Sequence, residues 1–178
     1  MLKKINYVII TNGDFMKEIT YIKISDLIDR NCNIENFIAQ IDIIMKEKYP
    51  KYEKWFLEKV VPDLINKKRN IIIAYKDNNI VGFVNLKKDN KEKCMSNLYI
   101  KQSINQKKIW NGLVDESIKW LETYRPKLIV PKEYIANYIP YIIDRDWNLT
   151  GLKDNDMIFN GKGNEFERII YKKKSLKN

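Results

Sequence analysis

Histidine is absent from the chain. That removes the side chain most often used as a general base near neutral pH, and the commonest nitrogen ligand for metals. Cysteine is almost absent as well: Cys32 and Cys94 are the only two, far apart in sequence. A zinc site would have to combine them with carboxylates at no recognisable ligand spacing, so no metal is expected. Two thiols in a lysine-rich chain without a secretory leader predict reduced cysteines and a cytoplasmic setting. Lys3 and Lys4 ahead of Tyr7–Ile10 look like the start of a leader, but the apolar run is too short and Asn12 and Asp14 end it. No apolar stretch approaches the length of a membrane span, so no membrane association is expected. Glycine occurs only at 13, 82, 112, 151, 161 and 163, which spells neither a Walker loop nor a dinucleotide fingerprint. Pro/Gly/Ser-rich linkers and internal repeats are missing too, so 178 residues read as one domain.

What is there begins with 44% hydrophobic and 12% aromatic residues, enough for a sizeable core and against global disorder. Lys plus Arg exceed Asp plus Glu by 33 to 23, a net charge of +10. An anionic partner would suit that balance, whether nucleic acid, a phosphorylated cofactor or an acidic surface. The lysines are nevertheless spread along the chain, with small clusters only at 67–69 and 172–174. Lys, Asn and Ile are abundant everywhere, as an AT-rich genome produces, and that accounts for most of the charge.

Residues 1–15 are ambiguous: Ile5–Thr11 has strand character, broken by Asn12, Gly13 and Asp14. They are expected to be a peripheral extension, with the domain proper covering 16–178. Ile19, Tyr21 and Ile24 predict a strand ending near Ser25 and Asp26. Asn33 predicts the cap of a helix whose stripe is Ile34, Phe37, Ile38, Ile41, Ile44 and Met45, stopped by Pro50. Tyr52, Trp55, Phe56 and Val60 form a second amphipathic stretch, with Pro62 a kink or the first turn of a short new helix. Ile71–Tyr75, the turn Asp77–Asn79 and Ile80–Leu86 predict a hairpin. A strand over Cys94–Ile100 follows, then a loop over 101–108 and a helix from about Ile109 to Tyr124. Leu128–Val130 is a short strand and Tyr134–Asp144 a helix despite Pro140. Trp147–Leu152 and Phe166–Tyr171 are the last strands, turned by Gly161 and Gly163. This order predicts an α/β fold with a mixed, mainly antiparallel central sheet flanked by helices and a right-handed crossover from Cys94 to Val130.

Three collinear stretches resemble the GNAT superfamily of acyl-CoA-dependent N-acetyltransferases. NIIIAYKDNNIVGFVNLKK is similar to that family's hairpin. NLYIKQSINQKKIWNGLVDESIKWL is similar to its central strand, cofactor loop and following helix. YIPYIIDRDWNLTG is similar to its late helix and next strand, usually Y-x-x-x-G-F-x-x-x-G. The resemblance covers Met16–Tyr171 in outline and implies acetyl-CoA, or coenzyme A, as cofactor. Family loops of pattern Q/R-x-x-G-x-G/A present backbone N–H groups at a helix start to a pyrophosphate. Here that loop falls on Asn105, Gln106, Lys107, Lys108, Ile109 and Trp110. Lys108 and Trp110 stand where glycine or a small residue is usual. Lysine side chains at 101, 107 and 108 can supplement the backbone; a solvated loop, with Trp110 packed against the sheet, is the plain alternative.

The resemblance further implies direct acetyl transfer to an amine. The backbone of Leu98, Tyr99 and Ile100 would bond the pantetheine amides and polarise the thioester. A tyrosine of the late helix would protonate the leaving thiolate: Tyr141, which aligns better if one residue is inserted before Trp147, or failing that Tyr138; each is equally readable as a core or rim tyrosine. The base would be a carboxylate or a water chain ending at one. Cys94 and Ser96 hold the strand positions where the family sometimes has a carboxylate, and neither suits the role. The acceptor stays open among a small amine, an aminoglycoside, a peptide N-terminus and a lysine. Two other readings remain: a catalytically inactive binding module of the same fold, and, ranking lower, a basic nucleic-acid-binding protein, supported by charge and by aromatics near Lys48–Trp55 but by no motif.

Overall fold

The computed structural model describes residues 18–46, 52–102, 105–123, 125–153 and 156–160. The expected extension 1–15 and the expected last strand Phe166–Tyr171 lie outside them. Strand β1 (Thr20–Lys23) gives way at once to helix α1 (Ile24–Asp29). Ile24, expected in the strand, is instead a fully buried first residue of α1. No side chain of its own segment caps this helix. Asn70 does so from the sheet: its Oδ1 accepts from the Ser25 N–H at 3.0 Å and its Nδ2 donates to Ser25 Oγ at 2.8 Å. A tertiary cap of this kind leaves little trace in local sequence.

Helix α2 (Glu35–Lys46) starts where Asn33 predicts, with Asn33 Oδ1 accepting from the Glu35 N–H at 2.7 Å. α3 (Tyr52–Trp55) runs through a π turn (Phe56–Val60) into α4 (Val61–Ile65), with Pro62 in the first turn of α4. Proline has no N–H for the carbonyl four residues back, and the chain widens instead, with the Val61 N–H reaching Phe56 O.

β2 (Arg69–Lys76) and β3 (Asn79–Lys88) form the expected hairpin, and Asp77 and Asn78 both take positive φ in its two-residue turn. Ile71, Ile72 and Ile73 are buried consecutively, as in a strand covered on both faces. β4 (Lys93–Ile100) pairs with β3 up to a bulge: Phe83 faces Tyr99 and Asn85 faces Ser96, leaving Asn97 and Leu98 opposite Val84. Asn97 accordingly has φ 48°.

α5 (Gln106–Leu121) begins three residues before the expected Ile109 and stops before Tyr124, because Glu122 turns left-handed at φ 52°. Lys107 and Lys108 thus lie in its first turn rather than in a loop. β5 (Lys127–Pro131) returns parallel to β4. A short 3-10 turn (Lys132–Tyr134) then leads to α6 (Ile135–Asp144). β6 (Asn148–Lys153) and β7 (Asp156–Asn160) close the sheet. The partner of β6 therefore precedes Gly161; a turn at Gly161 and Gly163 is not what joins it.

The seven described strands run in the order β1-β2-β3-β4-β5-β7-β6, antiparallel except for β4 against β5. One core lies between the sheet and α5 and α6; the other lies under α1 to α4. α5 sits so close to the sheet that a Cβ at Gly82 would come within 2.8 Å of Ile109 Cγ2. At Gly112 a Cβ would run into the Tyr21 ring, whose hydroxyl donates to Lys108 O at 3.0 Å. No helix among the described residues is long and apolar enough to cross a membrane.

Candidate active site

β4 and β5 pair only at Cys94↔Lys127 and Met95↔Leu128. Beyond Met95 and Leu128 the two strands no longer pair, and residues 97–99 of β4 and 129–131 of β5 line a small gap between them. Parallel sheets bind ligands where neighbouring strands part company, because main-chain groups there have lost their ladder partners. Leu98 illustrates this: its carbonyl points into the gap and accepts the Tyr138 hydroxyl at 2.8 Å.

An open cleft of about 690 Å³ adjoins the gap. Tyr99 and Ile100 from β4, Gln102 after it, Gln106 at the start of α5, and Tyr138 and Tyr141 on α6 form its wall. The sequence assigns Leu98, Tyr99 and Ile100 to one end of a site and residues 105–110 to the other. Of these, Tyr99, Ile100 and Gln106 line the cleft together with Tyr138 and Tyr141 of α6, whereas Leu98, Asn105, Lys107, Lys108, Ile109 and Trp110 are not on its wall. Gln102, Ala136, Asn137 and Pro140, which the sequence assigns to no site, lie on the same wall. Their place on the wall becomes visible only once α6 is docked.

Within the 105–110 segment the side chains diverge. Asn105 precedes the helix and makes no side-chain cap bond, so the first N–H groups of α5 are not claimed by it. Gln106 Oε1 accepts the Tyr141 hydroxyl at 3.2 Å. Lys107 pairs with Asp144 of α6 at 2.6 Å. Lys108 is exposed, with no carboxylate partner among the described residues. Ile109 and Trp110 turn inward and are buried. Trp110 stacks on Tyr138 and Tyr141, with ring centroids 5.8 and 5.5 Å away, and meets Trp147 at 6.5 Å. The bulky residue at the usual glycine position is therefore directed under α6 rather than across the mouth of the cleft.

α6 is fastened at its other end. Arg145 donates to Asn111 Oδ1 at 3.0 Å and to Asp115 Oδ1 at 2.9 Å, both on α5. The helix stops in a left-handed residue, Asp146 at φ 54°, at the place where the resembling pattern has glycine.

Cys94 lies at the paired end of β4, away from the gap. Burial, helped by the Glu92 carboxylate, pushes its thiol up to about 11. A thiol held protonated in this way is a poor nucleophile. Among the described residues no carboxylate lines the cleft, and its polar lining consists of amides and phenols.

No protein-family model matches the chain, and no curated protein does. Solved structures do. The N-acetyltransferase PaiA of Thermoplasma acidophilum, crystallised with coenzyme A, superposes with a TM-score of 0.56 at 19% identity, covering 82% of this chain and 99% of that one. The N-acetyltransferase PseH of Campylobacter jejuni, crystallised with acetyl coenzyme A, gives 0.54 at 16% identity over 80% and 97%. A GNAT-family protein of Desulfovibrio desulfuricans gives 0.59 at 8% identity over 80% and 98%. The mixed seven-stranded sheet, the parting of β4 from β5 and the cleft beside it together make this the fold of the GNAT acetyltransferases.

Proposed function

We propose that the protein is a GNAT-superfamily N-acetyltransferase that moves an acetyl group from acetyl-CoA directly to an amine. The observation that carries the reading is the gap between β4 and β5 opening into a cleft walled by the start of α5 and by Tyr138 and Tyr141. Acetyl-CoA would supply an acetyl group already activated as a thioester. The pyrophosphate would lie against the first turn of α5, where unclaimed N–H groups and the helix dipole favour an anion, with Lys108 and Lys107 alongside. Lys107 would exchange Asp144 for phosphate oxygens. The edge of β4 at Leu98, Tyr99 and Ile100 would bond the pantetheine amides.

The chemistry left to the protein is proton handling and orientation. The amine nitrogen forms a bond to the thioester carbon, the carbon–sulfur bond breaks, and the thiolate needs a proton. The positions of the two hydroxyls favour Tyr138 as the donor: its Oη sits at the gap on Leu98 O, whereas that of Tyr141 reaches Gln106 at the start of α5. The amine loses its proton to water. Direct transfer suits a chain without histidine whose buried cysteine stays protonated. The acceptor is an amine of a small molecule or a peptide.

Titration calorimetry with acetyl-CoA and coenzyme A at low salt tests the reading. Binding that weakens as salt rises is expected, because the lysines contribute screened side-chain contacts in place of a glycine-lined cradle. A second reading, a binding module of this fold without catalysis, is favoured by the side chains at 108 and 110. Absence of binding to either ligand would install it.

A further inference from the structure

Behind the cleft, inside the gap itself, lies a second cavity of only about 10 Å³. Residues 97–99, 129–131 and Tyr134 line it, with Tyr138 on the side of α6 and Met45 on the side of α2. Tyr99 and Tyr138 line both spaces, so the cavity sits directly beyond the cleft. It also crosses the sheet: Tyr138 belongs to the core under α5 and α6, Met45 to the core under α1 to α4.

We propose that this cavity receives the acyl group of the thioester and that Met45, from α2, limits that group to two carbons. The proposal rests on the coenzyme A reading above and adds a donor specificity to it. A space of this volume holds roughly one water-sized group. A terminal methyl can be accommodated there by small side-chain adjustments. Each further methylene would have to displace Met45, which is 1% exposed and belongs to the core under α1 to α4. Of the residues closing the cavity, Met45 is also the one remote from the proposed proton transfer. Its side chain is unbranched and fills irregular space, so truncating it extends the cavity toward α2 without altering β4, β5 or α6.

The test uses the full chain and a series of thioesters: calorimetric affinities for coenzyme A, acetyl-CoA, butyryl-CoA and hexanoyl-CoA. Wild type is expected to bind acetyl-CoA at least about tenfold more tightly than butyryl- or hexanoyl-CoA, since the longer chains overpack a site of this size. Met45→Ala should narrow that gap to within about threefold, while Met45→Leu, which conserves volume, should preserve it. Equal wild-type affinity for acetyl- and butyryl-CoA would overturn the proposal, as would an unchanged gap in Met45→Ala shown to be folded by circular dichroism. Should Met45→Ala fail to fold, the wild-type series still decides. Failure of every thioester and of coenzyme A itself to bind would be a different result, removing the cofactor reading on which this one stands.

Discussion

At the scale of single residues, the buried groups make the sharpest predictions. The Cys94 thiol titrates near 11 in the fold against an ordinary value of 9.0. A pKa raised by folding means stability that is complete below pH 9 and is lost as pH climbs toward 11, because the unfolded chain releases the proton first. The shift corresponds to about 2–3 kcal/mol. Cys94→Ala should therefore soften less than wild type over that window when melting temperatures are compared from pH 8.5 to 11. Gly112→Ala should drive the Tyr21 ring aside and break its bond to Lys108 O, costing about 1–3 kcal/mol in urea unfolding. Tyr138→Phe removes the hydroxyl on Leu98 O and keeps the ring on Trp110. Once an acceptor amine is in hand, its turnover should fall roughly a hundredfold while acetyl-CoA affinity moves little. A similar loss in Tyr141→Phe alone would reassign the proton donor.

Among the elements, α6 depends most on a partner. Pro140 lies inside it, and its fixation comes from outside: Trp110 beneath and Arg145 at its end. Trp110→Gly, which would restore the small residue usual at that position, should remove this support, costing about 3–5 kcal/mol through the cavity left behind. Any gain in pyrophosphate contact would be masked by loosening of Tyr138 and Tyr141, seen as raised hydrogen exchange over 135–144. Which elements the sequence reveals follows from where their determinants lie. The β2–β3 hairpin is legible because Asp77 and Asn78 encode its turn locally. α2 is legible through the Asn33 cap and an unbroken stripe. α1 is not, because its cap is Asn70, 45 residues away. The start of α5 is missed because its first turn carries no apolar periodicity. β7 is missed because the glycines just beyond it attract the turn assignment.

On the scale of the whole molecule, the seven described strands form one sheet and two core clusters pack against it. Deleting residues 1–15 is expected to leave the melting temperature nearly unchanged, since the described sheet is complete from β1 onward; a large drop would make that segment integral. The site is only half legible in sequence for a physical reason. Leu98–Ile100 and the 105–110 segment can be placed by order along the chain. The cleft itself exists only after α6 folds back over β4, a contact between residues 40 apart such as Tyr138 with Leu98. The inward turn of Trp110 is likewise decided by tertiary packing, so its bulk could be read equally as obstruction or as core. That buried indole also equips the protein with an optical readout. Tyr138 and Tyr141 lie against it at 5.8 and 5.5 Å, within range for excitation of either phenol to pass to tryptophan. Trp55 and Trp120 are partly exposed and open to a dissolved quencher, whereas Trp110 and its neighbour Trp147, 6.5 Å away, are buried. Emission that survives iodide should thus report chiefly from the floor of the cleft, and a ligand settling on the two phenols should change it without any label attached.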